Sequence, residues 1–271
     1  MKKVIYTVLT GNYDKLEQPR AVDSSYDYVC FTDKAGQDGV WQLREIPFAS
    51  DSAILRARWA KLHPHLLLPE YDVSVFMDAN LCIASSDFYA ALLENRKPAF
   101  SVLTACYRPA SEPDSWENGL VAVLEHPERD CVWEELRYCY LKDKVSTRTA
   151  VGWHRFLKET GMPRHWGLAE TNILLRAHLD PQVVALDELW WELLLLSGGT
   201  RDQLALTPAL YRLGMEPVLL LGPGLNARNV PYIRYTNHPS APERTPGKLN
   251  WANLKYNLRL GWRKTMLLCL R

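Results

Sequence analysis

The chain has 271 residues, 47% of them hydrophobic, with 32 Lys and Arg set against 31 Asp and Glu. That is enough apolar material for a substantial core in one large domain or two small ones, and a net charge of +1 supplies no basic surface of the kind nucleic-acid binding requires, so no nucleic-acid partner is expected. Six scattered cysteines (Cys30, Cys82, Cys106, Cys131, Cys139 and Cys269), none in a C-x-x-C pair, read as buried free thiols without a disulfide or structural zinc.

Met1-Lys2-Lys3 leads into an apolar run that ends at Thr10, too short for a signal-peptide core or a membrane span, and this predicts a cytosolic location. Residues 4–9, 26–32, 41–46 and 73–77 each read as strands, the first closed by the turn signal Gly11-Asn12. Between the third and fourth, Asp51 and Ser52 can cap a helix in which Leu55, Trp59 and Leu62 recur at helical spacing, with a stop at Pro64. From Trp116 to about Gly161 the pattern reads as helical, broken at His126-Pro127. Residues 167–176 offer another strand, 187–196 a strongly apolar helix, and 217–221 a late strand before Gly222-Pro223-Gly224. No repeat or long linker interrupts this order, which predicts an α/β fold: a three-layer sandwich with a mixed, largely parallel central sheet and a helical insertion over about 110–165. The expected division is one domain over 1–247, followed by a C-terminal segment over 248–271.

The strand Val73-Ser74-Val75-Phe76-Met77 ends abruptly in Asp78-Ala79-Asn80. Open α/β sheets bind ligands at their carboxyl edge, and oxygen ligands two residues apart can turn toward one hard cation that also holds a nucleotide diphosphate. An Asp and an Asn that only shape a turn are the plainer alternative. In the preceding helix Arg58 and Lys61 are three apart, on one face, where they can meet phosphate or simply face water. Thr10-Gly11-Asn12-Tyr13 and Asp33 lie at the tips of the first two strands, where a turn, an aromatic ring and a carboxylate could hold a base and ribose.

The runs Tyr6 to Asp14, Tyr28 to Asp33 and Arg56 to Lys61, leading into Phe76 to Asn80, resemble the donor half of the nucleotide-sugar glycosyltransferases of the GT-A (Rossmann-like) fold. More narrowly, His126 to Cys131, Gly167 to Glu170 with Leu174-Leu175-Arg176, and Trp190-Trp191-Glu192 followed by Arg201 to Leu204 resemble a family first catalogued as a domain of unknown function. Its members include bacterial surface-polysaccharide proteins and plant proteins related to mucilage. The resemblance extends to about Leu206.

The resemblance implies that Asp78 and Asn80 bind a divalent cation, Mn2+ or Mg2+, and the donor diphosphate. An amide in place of the commoner carboxylate at position 80 weakens that site. By the same resemblance His238 completes the metal site and Lys248 contacts phosphate. Asp202 and Gln203 sit beside the transferred sugar, Asp202 binding donor hydroxyls, stabilising an oxocarbenium-like centre or acting as base, and Glu170 orients hydroxyls from the opposite side. The plainer readings are a helix N-terminal carboxylate for Asp202 and a surface turn for Glu170. Trp190 and Trp191 read as core packing, Glu192 as a residue that could reach the cleft, and Arg129, Glu134 and Glu135 as the start of an insertion that could shape an acceptor pocket.

Residues 248–271 carry Lys248, Lys255, Arg259, Arg263, Lys264 and Arg271 and no acidic residue, beside Trp251, Leu254, Leu258, Trp262 and Met266 at helical spacing. This is the pattern of an amphipathic helix lying on an anionic membrane, where a lipid-linked glycan would be found; a helix docked on the domain would show it equally. The function expected is transfer of a sugar, from a UDP-sugar by resemblance, to a surface-polysaccharide acceptor such as capsule or O-antigen. The alternative is a catalytically silent glycan- or nucleotide-binding scaffold. A nucleotidyltransferase is disfavoured, since no glycine-rich phosphate loop follows the first strand.

Overall fold

The computed structural model describes residues 1–11, 15–94, 121–196, 198–222, 224–236 and 262–263. The chain opens with β1 (Lys3–Val8), β2 (Tyr26–Thr32), a hairpin of β3 (Gly36–Asp38) and β4 (Trp41–Glu45), then α1 (Ala53–Leu62) and the single turn α2 (Pro64–Leu67). Next come β5 (Val73–Met77), β6 (Leu81–Ile83) and α3 (Asp87–Glu94). After residue 120 the order is β7 (Val121–Glu125), α4 (Val132–Leu141), α5 (Thr147–Glu159), β8 (Ala169–Arg176), α6 (Pro181–Leu196), α7 (Asp202–Leu213), β9 (Val218–Leu219) and β10 (Ile233–Tyr235).

Eight strands form one sheet in the order β3-β4-β2-β1-β5-β8-β7-β9, while β6 and β10 pair separately. The half built by β4, β2, β1 and β5 is parallel, and β8 enters antiparallel to both β5 and β7. Strand alternation divides the core. Val4, Tyr6, Val29, Phe31, Phe76, Val123 and Leu174 point to the side covered by α1 and α4 to α7. Ile5, Tyr28, Cys30, Val75, Met77, Leu124 and Leu175 point to the side covered by α3 and the loops around Leu220 and Val230. The sandwich and its mixed sheet are those expected from the sequence.

Local chemistry explains the elements that position the site. Ser52 caps α1 by accepting from the Leu55 amide at 3.2 Å, and the helix stops at His63, whose following proline disfavours helical backbone. The buried run of β5 continues into a tight turn closed by the Leu81 amide on the Asp78 carbonyl at 2.9 Å. The segment Val121–Glu125, expected to be helical, is instead a buried strand of the main sheet. Five apolar-leaning residues with valines at alternate positions, cut off by His126-Pro127, suit a strand better than a helix of such length. The helix expected at 187–196 starts earlier, at Pro181, with Asp180 accepting from the Gln182 amide at 2.8 Å.

β8 carries the irregularity that matters most. Its pairing with β7 runs Val123 to Leu174 and then jumps from Leu124 to Glu170, so residues 171–173 have no partner on β7. Their backbone serves β5 instead, where Met77 pairs with Ile173 and the Asp78 amide donates to the Asn172 carbonyl at 2.8 Å. Such a bulge bends the strand and re-aims its side chains, here at the carboxyl end of β5.

In the C-terminal segment only Trp262 and Arg263 are described. Trp262 is exposed, whereas Arg263, placed by the sequence on the basic stripe, donates to the carbonyls of Tyr140 and Val145 and pairs with Asp143 at the α4–α5 turn. No helix among the described residues is long and apolar enough to cross a membrane. Cys30, Cys82, Cys131 and Cys139 are buried free thiols, as expected; Cys106 and Cys269 lie outside the described residues.

Candidate active site

Lys61 is the hub of the site. Its side chain is 2% exposed, and its ammonium donates to Asp202 Oδ2 at 2.6 Å and to the Thr171 carbonyl at 2.6 Å, with Asp78 Oδ1 at 3.8 Å and the Phe76 ring centroid at 4.5 Å. Arg58, one turn earlier on the same face, reaches the same Asp202 oxygen at 3.3 Å, and the Thr171 hydroxyl donates to it at 3.1 Å. The helical face that pairs Arg58 with Lys61 is therefore as expected, but its first partner is a carboxylate of the protein. Lys61 is enclosed and its charge is matched; Arg58 lines the open cleft and keeps its Nε without a hydrogen bond.

Asp202 is delivered to this pair by the loop after α6. Gly198 and Gly199 both take left-handed backbone, and a Cβ at Gly199 would run into a methyl of Leu55 on α1, so only glycine lets the loop pass this close. Trp190 is a core residue, as expected, and its indole N–H donates to the Asp202 carbonyl at 2.8 Å. Burial alone would raise the Asp202 carboxyl. Arg58 and Lys61, with the hydrogen bonds from Lys61 and Thr171, outweigh burial and hold it well below the usual carboxylate range. Held as the anion, Asp202 is a poor proton acceptor, which favours the electrostatic and hydroxyl-binding roles expected for it over that of a general base.

Glu170 has the opposite character. It is buried at the start of the bulge, with Oε1 paired to Arg228 and Oε2 buried without a hydrogen bond. Burial raises its carboxyl above the ordinary value, Arg228 pulls it back only in part, and the charge of Asp78 adds to the rise. It is no surface turn. Two residues on, Asn172 is also buried; neither its amide nitrogen nor its amide oxygen makes a hydrogen bond of ordinary geometry, though the side chain lies near enough to Glu170 to oppose the rise of its carboxyl. Orphaned polar atoms of this kind are costly unless a ligand satisfies them.

Arg58, Asp78, Glu170, Asn172, Asp202 and Gln203 line one cleft of about 580 Å³, whose other walls come from Asn226 and Arg228 and, across from them, Arg129, Tyr138, Lys144 and Arg201. Not every expected residue joins it. Asn80 is buried, does not line the cleft, and offers its main-chain carbonyl to both the amide and the hydroxyl of Thr236, each at 2.8 Å. The turn that brings Leu81 back onto Asp78 sends Asn80 to β10, so the two residues do not share a face of the cleft as expected.

Thr10, Gly11 and Asp33 also lie outside that lining. The Thr10 hydroxyl donates to the Ala53 carbonyl, and Asp33 accepts from the Gly11 amide at 3.1 Å while pairing with Arg56 at 2.9 Å, so they tie the strand tips to α1. Glu192 is exposed and away from the cleft; Glu134 is exposed and lines a neighbouring depression; Glu135 is buried against Arg129 at 2.7 Å and lines the cleft. Asn12, Tyr13, His238 and Lys248 lie outside the described residues.

The donor set bears on the expected cation. Among the described residues Asp78 is the one expected ligand that lines the cleft, Lys61 stands 3.8 Å from it, and no group of three or more His, Cys, Asp or Glu there could hold a metal. The described residues by themselves do not make up a cation site, and the third expected ligand, His238, lies outside them. Asn172, which the sequence reading missed, carries no signature in a strand pattern; the bulge that exposes it depends on pairing with β7 and β5.

No protein-family model and no curated protein sequence matches this chain. Among solved structures it is similar to WbbM, a bifunctional glycosyltransferase in its apo form, at 10% identity over 78% of this chain and 37% of that one, with a TM-score of 0.39. It is also similar to mouse xyloside xylosyltransferase 1, again apo, at 10% identity over 78% of this chain and 80% of that one, with a TM-score of 0.39. The chain thus spans little more than a third of WbbM. A likeness of this strength assigns neither residues nor an activity.

Proposed function

We propose that the protein is a glycosyltransferase that moves a sugar from a nucleotide donor, of the UDP-sugar class, to a saccharide acceptor of surface-polysaccharide synthesis. The observation that carries this reading is a pair of cleft carboxylates with opposite proton chemistry, beside Asp78 at the carboxyl edge of the sheet. Asp202 is held ionised by Arg58 and Lys61, and Glu170 is raised and has one oxygen free of hydrogen bonds. Divergent carboxylates of this kind suit displacement at a glycosidic centre, where one stabilises positive charge and the other moves a proton. The motifs that resemble nucleotide-sugar transferases supply the donor class.

In the proposed step an acceptor hydroxyl oxygen bonds to the anomeric carbon while the bond from that carbon to the diphosphate oxygen breaks, the electron pair leaving with the nucleotide. Glu170 Oε2 takes the hydroxyl proton as the new bond forms. Asp202 faces the positive charge that develops on the sugar, Asn172 offers its amide to sugar hydroxyls, and Arg58 faces the departing phosphate. No step is routed through a cation, because the described donors do not assemble one.

A screen of nucleotide sugars, with and without EDTA, reading nucleotide release, tests the reading. Turnover of one donor, slowed about a hundredfold by Glu170→Gln, is expected. Binding of a nucleotide sugar without release under any acceptor would leave a scaffold, and absence of both binding and release would end the transferase reading.

A further inference from the structure

Every carboxylate that lines the cleft has a cation of the protein beside it: Asp78 and Asp202 have Lys61, Glu170 has Arg228, and Glu128 and Glu135 share Arg129. The reverse does not hold. Arg201 and Lys144 also line the cleft, and among the described residues neither forms an ion pair; Arg201 Nε is buried without a hydrogen bond. The Lys144 ammonium lies 4.9 Å from the centroid of the Tyr138 ring, whose surroundings it shares with the Arg129 guanidinium at 4.1 Å. Burial and the neighbouring Glu135 push the Cys139 thiol of α4 up to about 12, and Arg201 and Lys144 are the cations that oppose the rise, which places both near the same turn of α4.

Two cations without an ion partner among the described residues, brought to one cleft from the N-terminal boundary of α7 and the α4–α5 turn, offer positive charge to an anion from outside. Lys144 comes from the α4–α5 turn and Arg201 from the loop before α7, whereas Arg58 and Lys61 come from α1. We propose that Arg201 and Lys144 form an anion-binding subsite for the acceptor, which selects a saccharide bearing a carboxylate or a phosphate group. The proposal rests on the transferase reading for the word acceptor; the anion site itself does not.

Titration calorimetry at low ionic strength with three probes, glucuronate, glucose 6-phosphate and glucose, tests it, with UDP as the donor control. At least one anionic sugar is expected to bind the wild-type protein about tenfold more tightly than glucose, as one charge-assisted hydrogen-bond network would give. The preference is expected to fall with added salt and to collapse to within about twofold in Arg201→Gln/Lys144→Gln, with UDP affinity unchanged. A response to glucose 6-phosphate alone identifies a phosphoryl group, a response to glucuronate alone a carboxylate, and either supports the subsite. Lys144→Gln, at an exposed side chain, gives a partial loss if the double variant does not fold. Equal binding of all three sugars overturns the proposal, and so does a parallel loss of UDP affinity, which would put the two cations on the donor. If the anionic sugars bind but UDP does not, the subsite stands and the transferase reading falls.

Discussion

Two buried charge clusters meet at Lys61, one at its carbonyl and one at its side chain, and they differ in what they face. Arg176 on β8 is enclosed with Asp187 of α6, Nη1 to Oδ1 at 2.7 Å, and its other nitrogen donates to the Tyr6 hydroxyl and to the Lys61 carbonyl at 2.7 Å. Both members of that pair are at most 1% exposed, and neither lines the cleft. The Lys61 side chain, whose own carbonyl serves this sealed cluster, turns the other way to Asp202, which borders open space. The sealed pair joins β1, α1, β8 and α6 and has no route to a substrate. Its open counterpart uses the same chemistry, a buried cation on a buried carboxylate, but sets Asp202 in the wall of the cleft beside Glu170 and Asn172. Both clusters keep buried atoms without a hydrogen bond, Arg176 Nε and Asp187 Oδ2 in the sealed pair and Glu170 Oε2 beside the open one, so it is access to the cleft that tells a structural pair from one that can meet a ligand.

The largest effect that would break this contrast is on stability. Asp187→Ala leaves an arginine that cannot shed its proton in a dry interior, and a loss of about 3–5 kcal/mol is expected by chemical denaturation. Turnover per folded molecule should stay within about threefold, since an electrostatic contact to substrate is what costs more. A collapse of turnover in a well-folded Asp187→Ala protein would erase the distinction. Asp202→Asn should do the reverse. We expect it to lower kcat by about 10²–10³, the size of one preorganised electrostatic contact, with a smaller stability loss than Asp187→Ala because cleft water can reach Arg58.

Glu170→Gln should lower kcat by about a hundredfold, as loss of a positioned base does. The pH profile sharpens this assignment. Since burial raises Glu170 and Arg228 restrains the rise, the acidic limb of kcat/KM should lie above the ordinary glutamate range, and Arg228→Gln should move it to higher pH still. An unmoved limb would take the proton away from Glu170. Acid unfolding reports the other carboxylate. Asp202 is depressed below its ordinary 3.8, so between the two values the unfolded chain binds more protons than the folded one. Its contribution to stability is therefore complete above about pH 4 and is lost as pH falls toward the folded-state value. Asp202→Asn should flatten that limb of a stability curve measured by denaturant. The smallest effect is expected at Asn172, where Asn172→Ala removes two unsatisfied buried atoms and should change stability by no more than about 1 kcal/mol while raising the donor KM.

Much of this arrangement could be read from the chain because it is local. Alternation announces β1, β2 and β5, Ser52 announces the start of α1, and the abrupt change from Met77 to Asp78 announces a polar strand tip. The face shared by Arg58 and Lys61 is likewise a matter of helical spacing. Their partner is not, since Asp202 lies 141 residues beyond Lys61 and meets it only after α6 has packed and two glycines have turned the loop. Val121–Glu125 was ambiguous because a short apolar run has no period of its own, and its place between β8 and β9 settles it as a strand. Asn172 and the diverted Asn80 depend on a bulge and a tight turn, features of pairing between strands that no single stretch of sequence displays.

The slack in β8 has a consequence for how this protein can vary. Three unmatched residues is an odd number, so the detour swaps inward and outward parity between the two ends of the strand. Lengthening or shortening it by a single residue would turn the Ala169–Glu170 end over, carrying the acid to the opposite layer, while a change of two would preserve its side. Identity within the detour is far less constrained by the sheet, because positions 171 and 172 owe nothing to β7. Chemistry can therefore drift at position 172 while the scaffold keeps its alignment and Thr171 keeps its hydrogen bond to Asp202, so a library confined to Asn172 is the place to look for altered sugar preference.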